Sequence, residues 1–154
     1  MIKHNKGHAY RQAGFTLIEL LVVIAIIGIL SSIVLASLNT SRGKGQDAKV
    51  KAQLSGLRSS AEVYYDTNGN YGGVVTSDCA AGMFADTDSG VATYTNATNY
   101  PVGATMSCNS TNIAYAVSAL LPGIADTLTS WCVDSTGSSK QIGAPLGDND
   151  TDCD

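Results

Sequence analysis

Between positions 15 and 38 the chain is almost unbroken apolar: FTLIELLVVIAIIGILSSIVLASL carries one charge, Glu19, in twenty-four residues. A run with no polar face predicts a helix that is surrounded by apolar material on all sides. As helix it rises about 36 Å at roughly 1.5 Å per residue, more than the roughly 30 Å of a hydrocarbon core. The pattern then changes. Val50, Leu54, Leu57, Ala61 and Tyr64 recur at spacings of four, three, four and three, which is one face of an amphipathic helix continuing from the apolar run. Asp47 and Lys51 fall at i and i+4 and predict a surface ion pair, and Asn68-Gly69 suits a left-handed cap. No proline interrupts this stretch, so any flexibility is expected at Gly28 or at Gly43-Lys44-Gly45.

The second half alternates less clearly. Residues 72–111 are dense in Gly, Ser, Thr, Asn and Asp and predict a long loop. Ile113, Tyr115 and Val117 alternate as a strand, and Pro122-Gly123 breaks the chain. Ser130 to Asp134 reads as a second strand, and Lys140 to Ile142 as a third after the Ser135-Thr136-Gly137 turn. The fold class that follows is α+β: a long N-terminal hydrophobic and amphipathic helix packed against a small C-terminal antiparallel β-sheet. Four segments are expected: a short polar segment at 1–14, a helix of transmembrane length at 15–38, an amphipathic helix at 39–71, and a globular part at 72–154.

Charge sharpens this division. Lys3, Lys6 and Arg11 precede the apolar run, and Arg42, Lys44, Lys49, Lys51 and Arg58 follow it, whereas residues 59–154 hold one Lys against eleven acids. An acidic head is a poor nucleic-acid binder, and no specific nucleic-acid partner is expected. The basic residues upstream of the run place the N-terminus in the cytoplasm and the rest of the chain outside, although the second basic cluster weakens that bias. Cys79, Cys108, Cys132 and Cys153 are even in number and widely spaced, which fits disulfides in an oxidising compartment better than a metal site. Three connectivities are open; Cys79 with Cys108 and Cys132 with Cys153 closes sequential loops with least crossing.

The junction Gly14-Phe15-Thr16-Leu17-Ile18-Glu19, opening an apolar helix behind a short basic leader, resembles the processing site of type IV pilins and of the related pseudopilins. The likeness is close over residues 1–71 and general beyond them. It implies a membrane peptidase that cuts after Gly14 and methylates the new amine of Phe15. It also implies a homo-oligomeric filament assembled by inner-membrane machinery from a single-pass precursor held in lipid. The physics of Glu19 can be argued without the family. A carboxylate near a membrane helix end costs a few kcal/mol unless it has a partner. The Phe15 amine of a neighbouring subunit would supply one and set the register between packed helices. Family members commonly carry a proline at the position of Ala36, which this chain lacks.

Other chemistry is thin. His4 and His8 both lie in the leader, so a processed chain has no histidine for a triad, and neither a nucleophile elbow nor a phosphate-binding glycine loop is present. No enzyme activity is expected. Asp148, Asp150 and Asp152 alternate like the start of a calcium loop but lack its glycine and distal Glu, so calcium is a candidate ligand beside a simple acidic tail, and no other cofactor is expected. Three sequons lie in the 72–154 segment, at Asn96, Asn109 and Asn149. The reading taken is a major pilin of a type IV pilus-like filament, with location at the inner membrane before assembly and in a surface or periplasmic filament after it. The alternatives are a pseudopilin of a type II secretion or DNA-uptake system and, from another class, a signal-anchored extracytoplasmic binding protein or enzyme.

Overall fold

The computed structural model describes residues 14–124 and 128–154, so the expected leader, with His4 and His8, lies outside the described residues except for Gly14. Two compact units meet at the boundary between Leu38 and Asn39. A single helix, α1 (Leu17–Asn68), contributes to both. In the first unit every large apolar side chain of the helix is exposed to its surroundings, from Phe15 to Leu38. This is the one helix among the described residues long and apolar enough to cross a membrane.

In the second unit α1 buries Val50, Leu54, Leu57 and Ala61 completely, with Tyr64 packed at their margin. The helix ends at Asn68, and Gly69 adopts φ 71°, the left-handed cap that the Asn-Gly pair predicts. Opposite lies a four-stranded antiparallel sheet of β1 (Met106–Ser110), β2 (Tyr115–Leu120), β3 (Ser130–Asp134) and β4 (Ser139–Ile142), in spatial order β1-β2-β3-β4. The α+β architecture is as expected. A short helix, α2 (Val91–Thr95), and two 3₁₀ turns at Gly82–Ala85 and Ala97–Asn99 complete it.

Three details differ from the sequence reading, in β1, Ile113 and the Asp47–Lys51 pair. β1 lies inside the stretch expected to be loop. Its sequence, MSCNS, shows no hydrophobic alternation because only Cys108 and part of Met106 face the core, while Ser107 and Asn109 are buried under the C-terminal segment. Ile113 is not in a strand; it sits in the β1–β2 turn and is 85% exposed. Asp47 and Lys51 do not pair. Asp47 Oδ1 instead accepts a hydrogen bond from Gly123 N at 2.8 Å, and Lys51 Nζ lies 4.3 Å from the centre of the Trp131 ring, a cation–π contact. Gly28, Gly43 and Gly45 all lie within continuous helix, and Gly43 has a packing reason: a Cβ there would meet Gly123 Cα at 2.9 Å.

The C-terminal segment covers the second face of the sheet. Ala116, Cys132, Leu146 and Cys153 form a small second core. Polar atoms beneath this cover are matched: Asn109 Nδ2 donates to Gly147 O and Asp150 O, its Oδ1 accepts from Ser77 N, and Ser118 Oγ accepts from Leu146 N. Asp134 is buried and fully engaged. Its Oδ1 accepts from Thr136 N, Thr136 Oγ1 and Ser138 N, and its Oδ2 accepts from Cys153 N at 3.0 Å. Burial alone would raise its pKa, but the bonds from Thr136, Ser138 and Cys153 outweigh it and hold the carboxyl below the usual range. Tyr115 Oη is the buried side-chain polar atom that finds no partner among the described residues.

Candidate assembly site

The N-terminus of α1 is built by a four-residue signal. Thr16 is the residue before the helix and Glu19 is its third member, the spacing of a capping box. Thr16 N and Thr16 Oγ1 both donate to Glu19 Oε2, each at 2.8 Å, and Glu19 N donates to Thr16 Oγ1 at 3.2 Å. Two backbone N–H groups that no helical carbonyl reaches are thereby satisfied. The carboxylate also lies in the first turn, where the helix dipole favours negative charge. Thr16 is the residue that the sequence reading passed over. Its signal is Thr-x-x-Glu ahead of an apolar run, which marks a helix start independently of the processing motif that shares Glu19.

Gly14 and Phe15 precede the helix in irregular backbone, with Phe15 92% exposed. Peptide bond, cap and carboxylate therefore sit together at one end of an uncovered apolar helix. An apolar surface of this extent is unstable in water, so it has to meet lipid, other copies, or both in turn.

In the second unit, the structure joins Cys79 to Cys108 and Cys132 to Cys153, the sequential connectivity. Each bond links a strand of the sheet to a segment outside it. The three alternating aspartates do not converge. Asp148 Oδ1 accepts from Ser77 Oγ, Asp150 Oδ2 from Gly147 N, and Asp152 Oδ1 from Asp154 N, each satisfied locally. Among the described residues no group of three or more His, Cys, Asp or Glu side chains is placed to hold a metal ion. Of the sequons, Asn109 is fully buried and bonded through both ends of its amide, which removes it as an acceptor in the folded chain.

Residues 10–35 match the family model described as the prokaryotic N-terminal methylation motif. Among curated proteins the chain is similar to the type II secretion system core protein G of Pectobacterium carotovorum subsp. carotovorum, 39% identical over 62 residues, 40% of either chain. The protein of the same name from Klebsiella pneumoniae is 39% identical over 61 residues, 40% of this chain and 44% of that one. The type IV wide pilus major component PilA4 of Thermus thermophilus is 43% identical over 58 residues, 38% of this chain and 44% of that one. In each case the match spans less than half the length of the relative. No solved structure matches the chain.

Proposed function

We propose that the chain, which belongs to the type IV pilin/pseudopilin superfamily, is a structural subunit assembled through its N-terminal helix and serves as a pseudopilin of a secretion or uptake apparatus. The observation that carries this finer role is the recurrence of type II secretion system core protein G among its relatives, in Pectobacterium, Klebsiella and Aeromonas. That recurrence favours the pseudopilin over the major pilin preferred on sequence alone. The pilin remains the second reading, supported by PilA4 of Thermus thermophilus and by a fimbrial protein of Neisseria meningitidis, 34% identical over 77 residues.

In this reading the peptidase cuts between Gly14 and Phe15, and the Phe15 amine is methylated. The apolar helix holds the precursor in the inner membrane. On assembly the helices of successive subunits replace lipid for one another, and Glu19 of one copy neutralises the Phe15 amine of the next. That pairing requires Glu19 to turn at least one oxygen outward from its own cap. Both capping bonds fall on Oε2, which leaves Oε1 for an incoming amine.

Two measurements test the proposal. Deleting the gene in its host should abolish export of the apparatus's cargo while long surface filaments persist; loss of surface filaments with export intact would assign it to the pilus instead. Mass spectrometry of the mature subunit should show Phe15 first with an added methyl group, and a mature chain starting at any other residue would overturn the processing scheme.

A further inference from the structure

We propose that one flank of α1, carrying Lys44, Lys51 and Arg58, is a contact for the carboxylates Asp66, Asp86 and Asp88 of a second copy of this chain shifted along the helix axis. The inference rests on the filament reading above and deepens it by naming what fixes the stagger between heads.

The three cations are spaced by seven residues, so each is rotated only about 20° from the last and they form one stripe. Lys51 lies over Trp131 of β3, and Arg58 lies beside the β3–β4 turn, where a Cβ on Gly137 would come within 3.6 Å of its Nη2. Arg58 also lines a polar groove of about 470 Å³ with Glu62 and Asp134, but neither pairs with it: Glu62 Oε1 accepts from Tyr71 Oη, and Asp134 is taken up by Thr136, Ser138 and Cys153. Among the described residues no carboxylate forms an ion pair with these cations, Lys51 being held by the Trp131 ring alone. Among the described residues the one ion pair joins Lys140 to Asp154, and none involves Lys44, Lys51 or Arg58.

The acidic side is equally unbalanced. Asp86 and Asp88 line a small groove with Thr67 and Asn68 at the C-terminal end of α1, and Asp66 is exposed in the same final turn. No basic residue stands in that turn, so the negative end of the helix dipole adds to three carboxylates. Arg58 is eight residues from Asp66 and Lys44 is twenty-two, or about 12 and 33 Å along the helix. Parallel copies side by side at equal height place like against like, whereas an axial shift within that range places cations against acids. Two different patches in contact make a head-to-tail interface that does not close on itself and grows as an open filament. Apolar helix packing has no such axial preference, because the hydrophobic effect is non-directional. Lipid is the weaker occupant. Arg58 stands twenty residues, about 30 Å of helix, beyond the apolar run, and a headgroup layer is only about 5 to 8 Å deep.

The test uses the full chain in its own membrane. Lys44→Glu with Arg58→Glu, and separately Asp66→Lys with Asp88→Lys, should each lower the yield of assembled filament at least about tenfold, since like-charge juxtaposition now opposes docking. Processed, disulfide-bonded subunit should stay at wild-type level in the membrane. The quadruple variant should recover most of the yield, and zero-length carbodiimide treatment of wild type should link Lys44 or Lys51 of one copy to Asp66, Asp86 or Asp88 of another. Wild-type filaments that tolerate either charge reversal, or a quadruple variant as defective as its parents, would overturn the contact and leave the filament reading standing. Absence of filaments from wild type would overturn both. Loss of binding to phosphatidylglycerol vesicles with assembly intact would give the stripe to lipid and overturn the proposal.

Discussion

Asp134→Asn tests how the head is locked. The carboxylate answers four donors with two oxygens: three bonds shape the β3–β4 turn and the fourth holds Cys153 N. An asparagine keeps one acceptor and turns the other into a donor. Whichever way the amide faces, a buried N–H is left opposite an NH₂. If the turn keeps its oxygen, Cys153 N is orphaned at a cost of about 1 to 3 kcal/mol, and three bonds to a charged acceptor become neutral ones at a few tenths to about 1 kcal/mol each. About 3 kcal/mol in total is expected, or roughly 10 °C in Tm for a unit of this size. Trp131, the single tryptophan, lies in β3 three residues away and reports unfolding by fluorescence of the detergent-solubilised chain with disulfides intact. pH supplies an independent check. The folded carboxyl lies below its ordinary value, so its stabilisation is complete above an unfolded pKa of about 3.9 and is lost as pH falls through the folded value. Wild type and Asp134→Asn should therefore differ fully at pH 7 and converge at more acid pH. Equal stability at pH 7, or a gap that does not narrow in acid, would refute the reasoning.

The Glu19 carboxylate should have two separable duties. Glu19→Gln preserves the capping geometry, since Gln serves in a capping box, yet should lose assembly through loss of charge; Thr16→Val should keep assembly while lowering helix stability by about 0.5 to 2 kcal/mol. Normal filaments from Glu19→Gln, imaged after shearing, would mean that charge has no part. Gly123→Ala places a Cβ 2.2 Å from Gly43 O and should destabilise the second unit by at least about 1 to 3 kcal/mol in urea unfolding. Tyr115→Phe removes a buried hydroxyl with no partner and should be neutral or stabilising by about 1 kcal/mol in the same assay. A large loss there would reveal a bond that the hydroxyl makes in solution.

Hydrophobic periodicity carried the reading of α1 because the helix buries one face, so its pattern reports its environment directly. β2 was partly legible through the alternation of Tyr115 and Val117, although its other positions are buried too and so blur the pattern, and β3 spans Ser130–Asp134 as expected. β1 was not, because its buried residues are Ser107, Asn109 and Ser110, polar groups tolerated only because the distant segment around Leu146 to Asp150 supplies their partners. Local composition cannot signal a strand whose polar side chains are satisfied from forty residues away. The Asp47–Lys51 expectation failed similarly. Helical spacing brings them within reach, but Gly123 and Trp131, both remote in sequence, are better partners for each. At the start of α1 both the Gly14-to-Glu19 motif and the Thr-x-x-Glu capping signal stand in the sequence, and the structure adds the bonds between Thr16 and Glu19.

The two disulfides enclose separate stretches of chain, 79–108 and 132–153, with no overlap. A protease that cuts inside either stretch leaves fragments covalently joined, whereas a single cut between 109 and 131 divides the molecule into two pieces. That interval holds the β1–β2 turn, all of β2 and the loop that Gly123 ties to Asp47. Whether β2 survives proteolysis in place therefore depends on how well this uncrosslinked stretch between the two loops is guarded by its hydrogen bonds to β1, β3 and the helix.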